Sequence, residues 1–242
     1  MLPLADDVPG RRAPILTILI IAAWVAMWIV NLLRPDDGNV VDSSQALDCR
    51  WGLVPDHFVH GTTATVDPCA MLNMEHSRWL EVITAQFLHA SWWHIIGNVL
   101  FMWVFGASVE ARLGRVRFLP FVLACGSLAI IVEALATPSG LNPIIGGSGM
   151  VAGVLGAYIV VFPSARVWAL LIVIPVRLPA WVLLVVWFGY QLIAALAGFE
   201  AGTAYWAHVA GFAIGALLIR PVSTGLPPPP IPRSRAGTPA PA

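Results

Sequence analysis

The chain has 242 residues, of which 58% are hydrophobic and only 11% are charged, and its formal net charge is zero. Soluble domains carry about 25% charged residues, so this composition excludes a water-soluble globular protein and predicts a polytopic membrane protein. No His-Glu-x-x-His motif and no Cys-x-x-Cys pair occurs, so the sequence gives no support for a zinc site.

Six segments are candidates for spanning helices, since a span needs roughly 20 mostly apolar residues. They are residues 15–33, 86–107, 116–136, 148–163, 179–197 and 204–219. Arg11 and Arg12 precede the first segment as in a signal peptide, but its apolar core is too long and no Ala-x-Ala site follows. An uncleaved anchor is therefore predicted. The apolar stretch 167–176 is too short to span, and we expect it to lie at the interface or to extend the next helix.

Polar segments flank and interrupt the predicted membrane domain of residues 15–220. A cytoplasmic segment 1–14 precedes it, and a Pro-rich tail, 221–242, follows it and is expected to be disordered. The connection 34–80 is acidic and too long for a simple connector. Its tryptophans and short apolar stretches predict a segment folded onto the membrane surface.

Two of the three cysteines, Cys49 and Cys69, share the 34–80 connection. They can form a disulfide if that connection faces an oxidising compartment. Spacing alone does not show the geometry, so the sequence leaves the pairing open.

All 13 basic residues are arginines, and their distribution predicts the orientation. With six spans, one side of the membrane holds Arg11, Arg12, Arg112, Arg115, Arg117, Arg166, Arg177, Arg220, Arg233 and Arg235, and the other side holds only Arg34, Arg50 and Arg78. By the positive-inside rule both termini are cytoplasmic and the 34–80 connection is outside. Ser148 then begins the fourth span at its outer end, and His208 lies near the outer end of the sixth.

Ser148 and His208 are candidates for a nucleophile and its base. A serine hydroxyl needs a base to take its proton, and a neutral imidazole can do so at physiological pH. Small residues follow both positions at three- and four-residue spacing, which favours close approach of the two helices. The alternative is that the glycines only pack helices and Ser148 bonds back to its own helix. No acidic residue lies near His208 in sequence, so a dyad is the simpler interpretation.

His94 and Asn98 are candidates for an oxyanion hole. They are four residues apart and share one helix face, and both are costly in lipid and should face the protein interior. Both can donate a hydrogen bond to a developing oxyanion. The alternative is a polar clamp between helices without chemistry, and a metal site is a weaker interpretation because asparagine is a poor ligand for transition metals.

At this point the chain resembles the rhomboid family of intramembrane serine proteases. The matching motifs occur in family order between about residues 85 and 215: Phe87-Leu88-His89 with His94 and Asn98, Glu110-Ala111-Arg112-Leu113-Gly114, Gly146-Gly147-Ser148-Gly149, and Ala207-His208-Val209-Ala210-Gly211. The resemblance implies an all-α, six-helix membrane bundle with a Ser148–His208 dyad. It also implies an oxyanion hole of His94, Asn98 and the backbone N–H of Ser148.

Two features depart from the family pattern. The resemblance associates Glu110 and Arg112 with the outer loop, whereas the count of spans places them after the second span, near the cytoplasmic face, as a buried or interfacial ion pair. Some members carry an aromatic residue at the position of Ala152 that packs on the histidine. Here we expect that contact to come from Phe212 or Trp206.

The sequence therefore predicts an intramembrane serine endopeptidase acting on single-pass membrane proteins within lipid, without cofactor, metal or nucleic acid. A bacterial inner membrane is the expected location, and the oligomeric state is left open. One alternative is a catalytically inactive rhomboid-like protein that binds membrane clients. Another is a small polytopic transporter, although the chain lacks the repeated halves typical of that class.

Overall fold

A computed structural model of the protein describes residues 2–8, 13–34, 43–61, 69, 77–171, 173–199 and 202–228. The tail beyond residue 228 lies outside this range, so its predicted disorder stays a prediction. Arg11, Arg12, Arg233 and Arg235 also fall outside the described residues.

The described chain is mostly helical, and its helices follow in the order of the predicted spans. The helices are α1 (Ile15–Leu32), α2 (Ser43–Trp51), α3 (Pro55–His60), α4 (Arg78–Thr84), α5 (Trp92–Phe101), α6 (Ala107–Leu113), α7 (Arg115–Ala136), α8 (Ser148–Val161), α9 (Ala180–Ala197) and α10 (Tyr205–Val222). A π-helical turn, Met102–Gly106, joins α5 to α6 into one continuous span. A 3₁₀ turn, Ala85–Phe87, precedes α5.

Five helical segments are long and apolar enough to cross a bilayer, and α8 is a shorter apolar helix among them. The protein is thus a multi-pass membrane protein with a helical bundle fold, as predicted. Two boundaries were wrong. The second span covers Trp92–Leu113 and not 86–107, because Ser91 caps it by accepting a hydrogen bond from the N–H of His94. Helix α10 continues to Val222, past the predicted end of the sixth span at residue 219.

The apolar stretch 167–176 contributes to two β-strands, so the predicted extension of the next helix was wrong, while the other alternative, a position at the membrane interface, stays a prediction. Strands β2 (Arg166–Leu171) and β3 (Ile174–Pro179) pair antiparallel. Strand β1 (Leu2–Asp6) adds to the other edge of β2. Along β2 the side chains of Val167 and Ala169 are fully buried and those between them are exposed, which is the period-2 pattern of a half-buried strand.

Contacts between the segments that connect the helices agree with six crossings of the membrane. Strand β1 precedes the first span and β2 follows the fourth, and their pairing puts both at one end of the bundle, the sheet end. At the other end, Leu53 pairs with Ile144 through two backbone hydrogen bonds of 3.1 and 2.8 Å. This bridge joins the segment after α1 to the loop before α8. We call this the Ser148 end of the bundle, because α8 begins there.

The connection after α1 is folded at the Ser148 end. It contains α2 and α3, and Cys49 of α2 forms a disulfide with Cys69, with the two Cα atoms 4.9 Å apart. The structure therefore contains the disulfide that the sequence left open. Arg78 donates to the carbonyl oxygens of His57 and Phe58, at 2.7 and 3.0 Å, and so ties α4 to α3.

Candidate active site

Ser148 is the first residue of α8, and the loop before it is held from several sides. Gly146 has φ +121°, a left-handed conformation that favours glycine, and its N–H donates to the carbonyl oxygen of Ala85 at 2.8 Å. A Cβ on Gly147 would collide with the indole of Trp24 from α1. The glycines before Ser148 therefore let a tight loop pass between α1 and the turn at Ala85.

Helices α8 and α10 pack with their backbones in contact, as the glycine spacing predicted. A Cβ on Gly211 would lie 2.6 Å from the carbonyl oxygen of Gly149, and one on Gly215 would overlap that of Gly153. From the first contact to the second, the residue number rises by four on both helices, so α8 and α10 run parallel. Ser148 directly precedes Gly149, and His208 lies one turn before Gly211. Their helices therefore bring both residues to the same layer of the bundle.

Helix α8 is too short to cross the bilayer alone. Its 14 residues extend about 21 Å at 1.5 Å per residue, against a hydrocarbon core of about 30 Å. It leads directly into the sheet end, through Phe162 to Arg166. Ser148 thus begins a helix that is shorter than the hydrocarbon core of a bilayer.

His94 lies against the loop that carries Ser148. A Cβ on Gly146 would come within 2.5 Å of both Cε1 and Nε2 of His94 and within 3.7 Å of Ser148 Oγ. The imidazole and the hydroxyl therefore border the same small space. A side chain at position 146 would fill this space.

Asn98 is buried, one turn below His94, and its amide has a protein partner. Asn98 Nδ2 lies 3.0 Å from Nε2 of His89, whose ring in turn packs edge-on against His94 at a centroid distance of 5.0 Å. Burial, reinforced by the neighbouring His94, lowers the pKa of His89 to about 3, so His89 is neutral and can accept this hydrogen bond. The amide has a second hydrogen, which this contact leaves available.

Two polar contacts around His208 were missed by sequence reasoning. Nδ1 of His208 lies 2.8 Å from Oε1 of Gln191, on α9. Oε2 of Glu133, on α7, accepts from the N–H of Ala207 at 2.8 Å and caps the first turn of α10. A polar residue inside an apolar span signals a protein-facing position, but it does not identify the partner.

The rings that approach His208 are not the predicted ones. Trp187 of α9 lies at a centroid distance of 5.9 Å and Tyr205 at 6.4 Å, whereas Phe212 packs on Trp187 and Phe188. The prediction of Phe212 or Trp206 was wrong because α9 places an indole over the histidine.

Glu110 and Arg112 do not form the predicted ion pair in the described part of the chain. The Glu110 carboxylate accepts from the N–H groups of Leu16 and Thr17 and from the Thr17 hydroxyl, at 2.7–3.0 Å, and so caps the start of α1. Arg112 instead donates to the carbonyl oxygen of Pro227, at 2.6 Å. Two residues apart on one helix, the side chains point to different sides. Both are structural, as expected, but with other partners.

Among the described residues no three His, Cys, Asp or Glu side chains group as a metal site. What the structure does bring together is a hydroxyl at a helix N-terminus, an imidazole on the adjacent parallel helix, and two further hydrogen-bonding side chains on α5. These are groups that acyl transfer requires, namely a nucleophile, a base and donors for an oxyanion.

Comparison with known proteins finds relatives over this same part of the chain. "Rhomboid protein 1, mitochondrial" of Saccharomyces cerevisiae is 33% identical over 149 residues, which are 57% of this chain and 40% of that protein. "Presenilin-associated rhomboid-like protein A, mitochondrial" of Danio rerio is 32% identical over 98 residues, 40% of this chain and 26% of that protein. "Rhomboid-like protein 11, chloroplastic" of Arabidopsis thaliana is 32% identical over 83 residues, 34% of this chain and 29% of that protein. The chain thus spans less than half the length of each of these relatives.

The model of the family described as "Rhomboid domain" matches residues 76–224. This range runs from just before α4 to just after α10. It includes every residue of the candidate site that the sequence predicted, from His94 to His208. The match covers more than half of the chain, and the chain therefore belongs to the rhomboid family.

Proposed function

We propose that this protein is a serine endopeptidase that cleaves membrane-anchored proteins within the bilayer, with Ser148 as nucleophile and His208 as general base. The backbone contact between α8 and α10 carries the proposal, because Ser148 and His208 each lie within one turn of it. Family membership alone does not decide activity, since the rhomboid family also contains inactive members. The whole activity is a proposal for the further reason that the chain spans less than half of its named relatives.

The reaction follows from these positions. Ser148 Oγ attacks the scissile carbonyl carbon while His208 Nε2 takes the hydroxyl proton, which leaves a tetrahedral intermediate with a negatively charged oxygen. His208 then gives that proton to the leaving amine nitrogen, the C–N bond breaks, and an acyl ester remains on Ser148. A water molecule gives one proton to His208 and its oxygen attacks the ester. The proton returns to Ser148 Oγ as the carboxyl product leaves.

Three donors are available for the oxyanion. The N–H of Ser148 belongs to the first turn of α8, where backbone N–H groups have no partner within the helix. Asn98 contributes the amide hydrogen that His89 does not engage. His94 borders Ser148 Oγ across Gly146, and its ring N–H is the third donor.

The substrates we propose are single-pass membrane proteins cut near the Ser148 end of the bundle, in segments that unwind easily and carry a small residue before the cut. The arginine distribution supports an extracytoplasmic position for this end. The bacterial inner membrane remains a prediction, and the relatives named above carry "mitochondrial" or "chloroplastic" in their names.

A fluorophosphonate probe tests the proposal, because it labels only an activated serine. The wild-type protein in detergent should be labelled and should cleave a single-pass substrate, whereas Ser148→Ala and His208→Ala should lose both activities. Ser127→Ala is the matched control, since it removes a hydroxyl that accepts a hydrogen bond from Gln86 on another helix, at 3.0 Å. An unlabelled, folded wild-type protein would instead support an inactive client-binding member or a transporter.

A further inference from the structure

We infer that Gln191 is a positioning residue for His208, which makes the dyad a triad with a neutral third member. This inference rests on the proposed function. It concerns how the base is held, and it assigns a role to a side chain that the mechanism above does not use.

The contact between the two side chains fixes the protonation pattern of the imidazole. Oε1 of Gln191 lies 2.8 Å from Nδ1 of His208, and an amide oxygen can only accept a hydrogen bond. Nδ1 therefore carries the hydrogen, and Nε2 has the lone pair that a general base needs. The opposite amide orientation would donate to Nδ1 and leave Nε2 protonated, which is unable to take the Ser148 proton.

The Gln191 amide lies in apolar surroundings, where a hydrogen-bond partner is needed. Its side chain is 7% exposed, and α9 is otherwise apolar apart from Tyr190, which is exposed. A buried amide in such surroundings is costly unless it is hydrogen-bonded. The Trp187 ring, one turn earlier on α9, packs on the same imidazole. One helix thus supplies both the hydrogen-bond acceptor and the apolar wall for His208.

The place that a carboxylate takes in a Ser-His-Asp triad is held here by an amide. The acid nearest in contact, Glu133 of α7, accepts from the N–H of Ala207 instead. The other titratable groups around His208 are His94 of α5 and Tyr205 of α10, the latter next to Tyr190 of α9. A neutral acceptor fixes the tautomer without adding a negative charge to a site inside the bilayer.

Two substitutions of Gln191 distinguish the effect of its hydrogen-bond acceptor from the effect of its side-chain volume. Gln191→Met keeps the length and removes the acceptor, so the rate of fluorophosphonate labelling and kcat should fall about tenfold with KM unchanged, the effect of one neutral hydrogen bond. Gln191→Glu keeps the acceptor and adds charge. It should retain activity, and the acidic limb of its pH–rate profile should move up by roughly one pH unit, because a carboxylate stabilises the imidazolium.

Gly189→Ala is the control on the same helix, since nothing lies within 4 Å of the added Cβ. It should keep the wild-type labelling rate and pH profile. Wild-type labelling by Gln191→Met, or a Gln191→Glu profile that superimposes on that of the wild type, would overturn the positioning role. If Gln191→Met does not fold, the pH profile of Gln191→Glu decides alone. Failure of the proposed function itself is distinguishable, because the wild-type protein would then resist labelling.

Discussion

Asn98 serves two partners in the proposed site, and this makes it the most informative single residue to change. One amide hydrogen is directed to His89, and the other is left for the oxyanion. The same side chain is part of a buried polar cluster and, in the proposed mechanism, a donor for the transition state.

Asn98→Ala separates these roles. A donor that acts in the transition state lowers kcat by roughly 10²-fold when removed, about 2.7 kcal/mol, with little change in KM. With three donors sharing one oxygen, the loss can be as small as about tenfold. A purely structural clamp predicts a lower melting temperature and an undiminished kcat per active site. Melting temperature and active-site-titrated kcat, measured on the same preparation, decide between them.

The sequence named candidate site residues but not the neighbours that the structure gives them. Ser148, His208, His94 and Asn98 were named from their chemistry and spacing, and their motifs also occur in family order. Gln191 was not named, because it lies outside all of these motifs and its partner lies on another helix. Trp187 was missed for the same reason, since a tryptophan in a span carries no sign of what it packs on.

Between elements, the interface of α8 and α10 is set by glycines that have no room for a side chain. On Gly156 a Cβ would overlap the backbone of Phe212, and on Gly215 it would overlap that of Gly153. Backbone atoms cannot move aside as the end of a flexible side chain can, so the helices would have to separate.

Gly215→Ala should therefore displace His208 relative to Ser148, even though it lies about two turns beyond His208 on α10. We expect a loss of about 1–3 kcal/mol of stability and a fall in kcat that exceeds the change in KM. Gly189→Ala on α9 is the control, because nothing lies within 4 Å of the added Cβ, and it should be neutral or slightly stabilising. Equal activity of the two variants would contradict the role given to this interface.

Hydropathy predicted the spans but not the sheet. A ten-residue apolar run has the same composition whether it is helix or hairpin, and only the alternation of buried and exposed residues along β2 distinguishes them. The third strand of the sheet, β1, comes from the beginning of the chain. Local sequence carries no sign of such a pairing.

For the whole molecule, the arrangement of connections at the two ends of the bundle agrees with six crossings. This places β1 and the β2–β3 hairpin on one side and the disulfide-linked segment on the other. Which side faces the cytoplasm is predicted from the arginines alone.

Reporter fusions test that orientation. A reporter fused after residue 235 should give a cytoplasmic signal, and reporters fused within residues 40–75 should give an extracytoplasmic signal. The disulfide between Cys49 and Cys69 agrees with this, because disulfides persist in oxidising compartments. The reverse reporter pattern would put Ser148 on the cytoplasmic side and change the side of cleavage.

The hydrogen bonds of Asp6 have a consequence for the order in which the protein assembles. Asp6 accepts from the hydroxyl groups of Ser108 and Tyr158, which is 152 residues further along the chain. During synthesis β1 is made before the first span, yet it cannot pair until β2 has emerged after the fourth. Until then, Tyr158 on the helix that begins with Ser148 lacks its bond to Asp6. A segment made before the first span is thus fixed only after the fourth, and its docking closes the sheet end when the helix that begins with Ser148 is already made.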